Sequence, residues 1–412
     1  MTHGDIGRDS QRRRILITGA SVAGNTAAWW LARFGNAVTV VERAPGFRDG
    51  GQNIDVRSVG RDVLRRMGLD QAALDRGTGE RGTAWIDKDG KVAAQFITED
   101  LGRDGPTAEL EILRGDLSRL IYESAIESQN VVFRFDDTIA RIEEHATGVA
   151  VTFAVSDTAT YDLVIVAEGV GSTTREMAFP GENKPRFMDL TMAYFTIPRV
   201  ADDDRMWRWY NATEGRSISL RPDNHGTTRA NVSIQQPPSG ELEWDETRQK
   251  AYIRERFANA GWQAERVLAG MEDTDDFYFD VLRQVQMPRW SKERVVLTGD
   301  AAWCATPLAG IGTTLAITGA YVLAGELQRN SNVEDALAAY QAAMRPMVDE
   351  AQGVPKIGPK MMNPKSRLGI HILHGVLNVA SKPPLRSAFA RVFAREPKTP
   401  DLSLYATTED NY

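Results

Sequence analysis

The sequence predicts an α/β chain in which a Rossmann-like nucleotide-binding domain is interleaved with a second, strand-rich domain. Three observations support this. Arg14–Thr18 is a short β-branched apolar run that breaks into Gly19-Ala-Ser21-Val22-Ala23-Gly24 and continues as a helical pattern. Leu163–Val166 repeats the apolar run and ends at Glu168-Gly169. A third run, at 295–298, ends at Gly299-Asp300 and leads through Pro307, Gly310, Gly312 and Thr313. Short continuous apolar runs bounded by turns read as parallel strands covered on both faces. Their order and spacing point to one extended ligand lying across several strand ends.

The first run opens a β-α-β unit. The helix reads through Ala27, Trp30, Leu31 and Phe34, stops at Gly35, and hands over to a strand at Ala37–Val41 closed by Glu42. Glu42 follows Gly24 by 18 residues, close to the spacing expected for an adenine dinucleotide. Gly19 allows the tight turn and Gly24 lets the helix pack on the strand. The free amides at the helix start, around Val22 and Ala23, suit a pyrophosphate. The Glu42 carboxylate can accept bonds from ribose hydroxyls, each charge-assisted bond contributing about 1.5–3 kcal/mol. Ser21 stands where the fingerprint has a glycine, and its hydroxyl can donate to a phosphate. A serine-hydrolase elbow needs Gly-x-Ser-x-Gly, which this spacing fails.

Composition narrows the classes. At 412 residues the chain can bury a sizeable core, and 42% hydrophobic with 25% charged residues is an ordinary globular mix. A net charge of -7 argues against a nucleic-acid binder. The single cysteine, Cys304, excludes an intrachain disulfide and a thiolate metal cluster, and no metal site is expected. No apolar run is long enough to span a bilayer. The polar first ten residues read as a disordered lead-in and not as a signal peptide, so a cytoplasmic location is expected.

With these motifs in place, the chain resembles the class A flavoprotein monooxygenases, the group of para-hydroxybenzoate hydroxylase and the tetracycline-inactivating monooxygenases. The resemblance implies an α/β fold with a Rossmann-like FAD-binding domain, an interleaved β-sheet substrate domain and a C-terminal helix. Glu168 stands where the family has the acid of an Asp-Gly pair beside the cofactor. Asp300 stands where the family's Gly-Asp-Ala-Ala-His segment holds the ribityl chain, and Trp303 replaces the usual histidine or arginine. Pro307, Gly310 and Gly312 match a loop running under the isoalloxazine ring. The helix that begins near Thr313 would aim its amides at the flavin's pyrimidine carbonyls. Arg114, in Glu111-Ile-Leu-Arg114-Gly-Asp, resembles an arginine contacting the flavin or its ribityl chain. Arg43 matches an adenine-side contact. The segment 49–57, with Asp55 and Arg57, aligns with a loop at the isoalloxazine edge. No catalytic acid or base is assigned, and Arg57 is the one weak candidate for shaping that edge.

The implied division gives the FAD-binding domain residues 1–75, 100–185 and 282–345, and the substrate domain residues 76–99 and 186–281. A C-terminal helical segment takes 346–412. Stretches at 131–135, 138–143 and 149–155 read as an antiparallel meander. The insert shows strand patterns at 191–197, 217–220 and 230–235 and a helix at 246–260. Tyr194, Arg208, Tyr210, Arg216 and Arg221 are its candidate pocket residues. The tail is basic, with nine Lys or Arg against Glu396 between 355 and 398, around an apolar stretch at 368–380. That stretch reads as a helix packed across both domains, in preference to an amphipathic helix on a membrane surface. His371 and His374 have no acid cluster and make a poor metal site.

The expected activity is an FAD-dependent monooxygenase using NADPH or NADH as transient reductant and O2. The resemblance implies a flavin 4a-hydroperoxide that passes oxygen to an aromatic or polycyclic small molecule, as in secondary metabolism or antibiotic modification. The insert's aromatic residues suit such a flat substrate. No nucleic-acid or membrane partner is expected, and the chain reads as a monomer or weak homodimer. Two alternatives remain: a flavin-dependent reductase or dehydrogenase of the same fold, and a flavin-bearing drug-binding protein without turnover. A flavin halogenase is rejected, because Trp207-Arg-Trp209 continues as Tyr-Asn-Ala and lacks the Ile-Pro of that family's box.

Overall fold

The computed structural model describes residues 12–48, 50–98, 110–355, 357–383, 385–386 and 398–405. The N-terminal lead-in, Asp49 and the tail positions Lys356, Arg391 and Arg395 lie outside them.

A six-stranded sheet forms the centre of the nucleotide-binding part. From one edge its order is Ser291–Lys292, Val295–Leu297, Leu163–Val166, Arg14–Thr18, Ala37–Val41 and Val131–Arg134. All neighbours are parallel except the first pair. Ile15, Leu16, Ile17, Leu163 and Val164 are fully buried, as strands covered on both faces require. The helices Val22–Arg33 and Gly312–Arg329 pack together, with the Trp30 ring 4.4 Å from that of Tyr321. The three motif-bearing strands are adjacent, so turns almost 300 residues apart in sequence leave one rim of the sheet.

The stretch at 131–135 is not part of the meander. It pairs in parallel with Ala37–Val41, with Val131 opposite Val38. The antiparallel meander consists of Ile139–His145, Gly148–Phe153 and Ala159–Tyr161. Alternation identifies a strand but not its partner, and here the helix Arg114–Ile126 delivers the chain to the edge of the main sheet.

A seven-stranded sheet covers the rim. Its order is Tyr278–Gln284, Arg186–Pro198, Thr227–Gln235, Arg216–Pro222, Trp207–Ala212, Gly82–Ile86 and Val92–Ile97. One face carries Ile218, Leu220, Val232 and Ile234, buried against Phe257 and Val267 of the helices Glu246–Phe257 and Ala264–Asp273. By the period of two, Tyr194, Trp207, Arg221 and Tyr278 lie on the opposite face. The return to the nucleotide-binding part, expected at 282, falls inside the strand ending at Gln284. The Val285 N–H then donates to the Cys304 carbonyl and joins the third motif.

The helix Val333–Gln352 spans position 346, with Pro346 inside it, and is held to the core by Met344, Met347 and Val348. One expectation about the tail is corrected. The helix Arg367–Ala380 does not bridge the domains. It packs Leu373 and Leu377 on Trp85, Phe96 and Trp209 of the seven-stranded sheet. The tie to the nucleotide-binding part comes from Leu402–Tyr405, where the Tyr405 hydroxyl donates to Glu326 at 2.7 Å.

A Cβ on Gly24 would stand 1.9 Å from the Gly19 carbonyl oxygen, whereas one on Gly35 would meet nothing within 4 Å. Gly24→Ala should lower unfolding free energy by about 3 kcal/mol or more, beyond ordinary overpacking. Gly35→Ala carries only the strain of a positive φ, about 1–2 kcal/mol. Urea denaturation of both variants checks the ordering.

Candidate active site

The site is a rim of backbone turns roofed by a sheet face. Gly19 has φ +103°, and a Cβ there would lie 2.5 Å from the Ala167 carbonyl oxygen. A Cβ on Gly299 would stand 2.8 Å from that of Ala23. The first turn is therefore in backbone contact with the middle strand end and packed on the third turn. Ser21 precedes the helix in extended conformation with no side-chain cap, so its first-turn amides at Val22 and Ala23 face the rim. The helix Gly312–Arg329 also begins without a side-chain cap, leaving the Gly312 and Thr313 amides open.

Charged side chains complete the rim. Glu42 accepts from the Ala20 N–H and the Ala44 N–H, both at 2.9 Å, which fixes its carboxylate while leaving lone pairs free. Arg114 donates to Ser21 Oγ at 3.3 Å and to the Gly50 carbonyl at 2.9 Å. Burial lowers its pKa, with Tyr278 and Asp300 opposing, and the guanidinium stays charged. Solvent reaches Asp300 along the cleft, while protein crowds its other sides. Burial first, and then Asp280, push its carboxyl up to about 6 against the pull of Arg114 and a Cys304 hydrogen bond. Burial and Asp300 in turn push the Cys304 thiol well up.

The remaining expected residues have defined tasks. Glu168 accepts from Thr18 Oγ1 and Ser172 Oγ at 2.6 Å, Thr174 Oγ1 at 2.5 Å and the Thr174 N–H at 3.1 Å. This locks the middle strand to the helix Thr173–Ala178 and uses the carboxylate inside the chain. Asp55 pairs with Arg57 at 3.0 Å, and the Arg57 N–H donates to Thr314 Oγ1 at 3.0 Å, tying this loop to the second open helix start. Arg43 is exposed beside Glu42. Pro307 begins a 3-10 turn that ends at Gly310, with φ +67°.

The pocket candidates divide between the two sheet faces. Tyr210 donates to the Ala260 carbonyl at 2.6 Å, Arg216 to the Thr213 carbonyl at 2.9 Å, and Arg208 pairs with Asp204, all on the helix-covered side. Tyr194 and Arg221 face the rim. Arg221 lies 2.8 Å from Glu80, 2.9 Å from Glu111 and 4.2 Å over the Trp207 ring. Tyr278 is a site residue that no sequence motif marks. It stands 6.4 Å from Tyr194, and its hydroxyl feels both Arg114 and Asp300. The indoles of Trp207 and Trp209 give the signal that could have found it, since alternation from them sorts every neighbouring strand.

These residues fit an FAD. The glycine contacts leave room only for backbone, two uncapped helix starts offer amides to anionic groups, and Arg114 supplies a cation. Thr306, at φ +70° beside Pro307, has a buried hydroxyl with no protein partner, an orphan that a ligand at this loop would satisfy.

Comparison with known proteins agrees. The family described as FAD binding domain matches residues 12–352. Monooxygenase CTB7 of Cercospora beticola is 36% identical over 392 residues, 90% of this chain and 93% of that protein. The tetracycline destructase Tet(51) superposes with a TM-score of 0.76 at 29% identity, covering 90% of this chain and 97% of that one. Klebsiella pneumoniae HpxO, solved with FAD and uric acid, shares the fold with a TM-score of 0.76 at 20% identity, over 94% and 98% of the chains. The chain belongs to the FAD-binding-domain family. Within it, the chain is an FAD-dependent monooxygenase of class A.

The Asp300 pKa gives a signed prediction. Its folded value, about 6, exceeds the ordinary 3.8, so stability present below pH 3.8 is lost as pH rises through about 6. FAD-free Asp300→Asn should match the wild type in Tm near pH 3.8 and exceed it above about pH 6. Differential scanning calorimetry across that range checks the sign.

Proposed function

We propose that the chain draws electrons from NADPH or NADH and oxygenates a neutral aromatic or polycyclic small molecule with O2. One observation carries the reading: Arg229, on the sheet face that bears Tyr194 and Arg221, donates to the Gly51 carbonyl at 3.4 Å, while Arg114 donates to the Gly50 carbonyl at 2.9 Å, so the cofactor rim and the aromatic wall meet at one loop. The chemistry supplied by bound FAD is two-electron transfer and activation of O2.

The chain's own residues bind, orient and exclude water. The Val22 and Ala23 amides would hold the pyrophosphate and Glu42 the ribose hydroxyls. Arg114 and Asp300 would hold the ribityl chain, and the amides at Gly312 and Thr313 would favour negative charge on the ring. Tyr194, Tyr278 and Trp207 offer flat apolar surface to the substrate. Arg221 is held between Glu80 and Glu111, and Arg229 between Asp223 and Asp276. Burial raises the Glu80 pKa, and the Arg221 guanidinium 2.8 Å away opposes that shift. A wall whose cations are already matched suits a neutral oxygen-bearing ring system over a carboxylate. The likeness to Tet(51), named a tetracycline destructase, supports a polycyclic substrate and places antibiotic modification among the activities to test.

In air, a panel of hydroxylated polycyclic compounds with NADPH or NADH should reveal a compound that accelerates oxygen uptake and gains one oxygen atom by mass spectrometry. Turnover that persists under argon would establish a reductase instead, and tight binding without product in a single turnover would establish a binding protein. With the substrate found, Tyr278→Ala should lower kcat/KM about ten- to hundredfold through lost positioning while FAD binding is unchanged. Steady-state kinetics and flavin fluorescence titration separate the two effects.

A further inference from the structure

The helix Arg367–Ala380 turns one side to the seven-stranded sheet and leaves the other uncovered. The inward side carries Leu373, Leu377 and His374, whose pKa burial lowers. The outward side carries Leu368, Ile372, Val376 and Val379, which are 71%, 58%, 59% and 54% exposed. Their spacing of four, four and three places them in one stripe along the helix. Met361 and Ile357, on the preceding helix Ile357–Met362, are 62% and 61% exposed and extend the apolar surface. Leu385 is 50% exposed beyond its other end.

Charge frames the stripe. Lys365, Arg367 and Lys382 are exposed at its two ends, and Lys360 lies 3.5 Å from Asp189. From 351 to 395 the sequence contains no Asp or Glu, although the chain as a whole is acidic at -7. Asp87 acts on His374 from the inward side, and Glu214, whose N–H donates to the Lys365 carbonyl at 2.8 Å, is exposed near one basic end. A stable soluble protein rarely leaves four large aliphatic side chains in one exposed row without a partner for them.

We propose that this face adsorbs to an anionic lipid surface, lying in the headgroup plane without crossing the bilayer. The apolar stripe and basic ends together have the composition of an interfacial helix. No helix among the described residues is long and apolar enough to cross a membrane, so contact is peripheral. A second copy is a poorer match, because two-fold pairing of the stripe would bring the basic ends of both chains together. The inference is independent of the substrate reading. It would set the cleft beside a phase in which polycyclic compounds dissolve.

The test is flotation of the full-length holoprotein with vesicles of phosphatidylglycerol and phosphatidylcholine, against phosphatidylcholine alone. Binding to the anionic vesicles, weakened by raised salt, is expected. Ile372→Asp with Val376→Asp should reduce it more than about tenfold, as should Arg367→Glu with Lys382→Glu. The flavin spectrum and Tm of each variant report that the fold is kept, and the charge-reversal pair decides the matter if the aspartate pair fails to fold. The proposal is overturned if neither vesicle binds, or if the variants float as well as the parent. A concentration-dependent dimer abolished by the aspartate pair overturns it in favour of a second copy.

Discussion

Backbone touches backbone where the first turn meets the end of the middle strand, and everything at the cofactor rim depends on that contact. Gly19 has no side chain because the Ala167 carbonyl occupies its place, and Gly24 has none because the Gly19 carbonyl does. Any side chain at either position would lift the opening helix off the sheet and withdraw its amides from the rim. Gly299 against Ala23 repeats the constraint with the third turn. Three sequence segments are thereby compressed into one surface of main-chain donors. Such a surface recognises pyrophosphate by geometry and needs few charged side chains.

The electrostatics of the rim are arranged for a ligand. Asp300, Asp280 and the Cys304 thiol crowd one another, while Arg114 acts on Asp300 and Arg283 pairs with Asp280 at 2.8 Å. Two helix starts lack caps, and the Thr306 hydroxyl is buried without a partner. The open amides and the orphan hydroxyl would be satisfied by anionic and polar groups of a cofactor, and Asp300 by hydroxyls that donate to it. Strain and unmet polarity of this kind concentrate where binding later resolves them. The sheet above the rim shows the opposite balance, since Arg221 and Arg229 each have two carboxylates as partners. One wall is therefore built for charge and the other for flat neutral surface.

The rim was legible in the sequence because turn glycines, strand ends and the acid after the second strand are local features. Their meaning depends on the few residues around them. What was not legible depends on partners. The strand at Val131–Arg134 looks like its neighbours in the meander but pairs with Ala37–Val41. Gly82–Ile86 joins Trp207–Ala212 in parallel across more than a hundred residues, which no local pattern announces. The sequence does not separate Tyr210 and Arg216 from Tyr194 and Arg221, and only the sheet's register assigns them to opposite faces. Glu168 matched a family position, yet Thr18, Ser172 and Thr174 take up its carboxylate. The apolar run at 368–380 read as a buried bridge, because apolarity alone does not say which side of a helix finds a partner.

Cofactor recognition would rest on the packed backbone of the three turns. Equilibrium binding of FAD to the FAD-free chain, compared with Gly299→Val, decides it. The wild type should take up one FAD per chain with quenching of flavin fluorescence. The variant, confirmed as folded by circular dichroism, should bind at least about a hundredfold more weakly, because the added side chain displaces Ala23 and the helix start it belongs to. Unchanged affinity in a folded Gly299→Val, or a wild-type chain that takes up no FAD, would contradict the account.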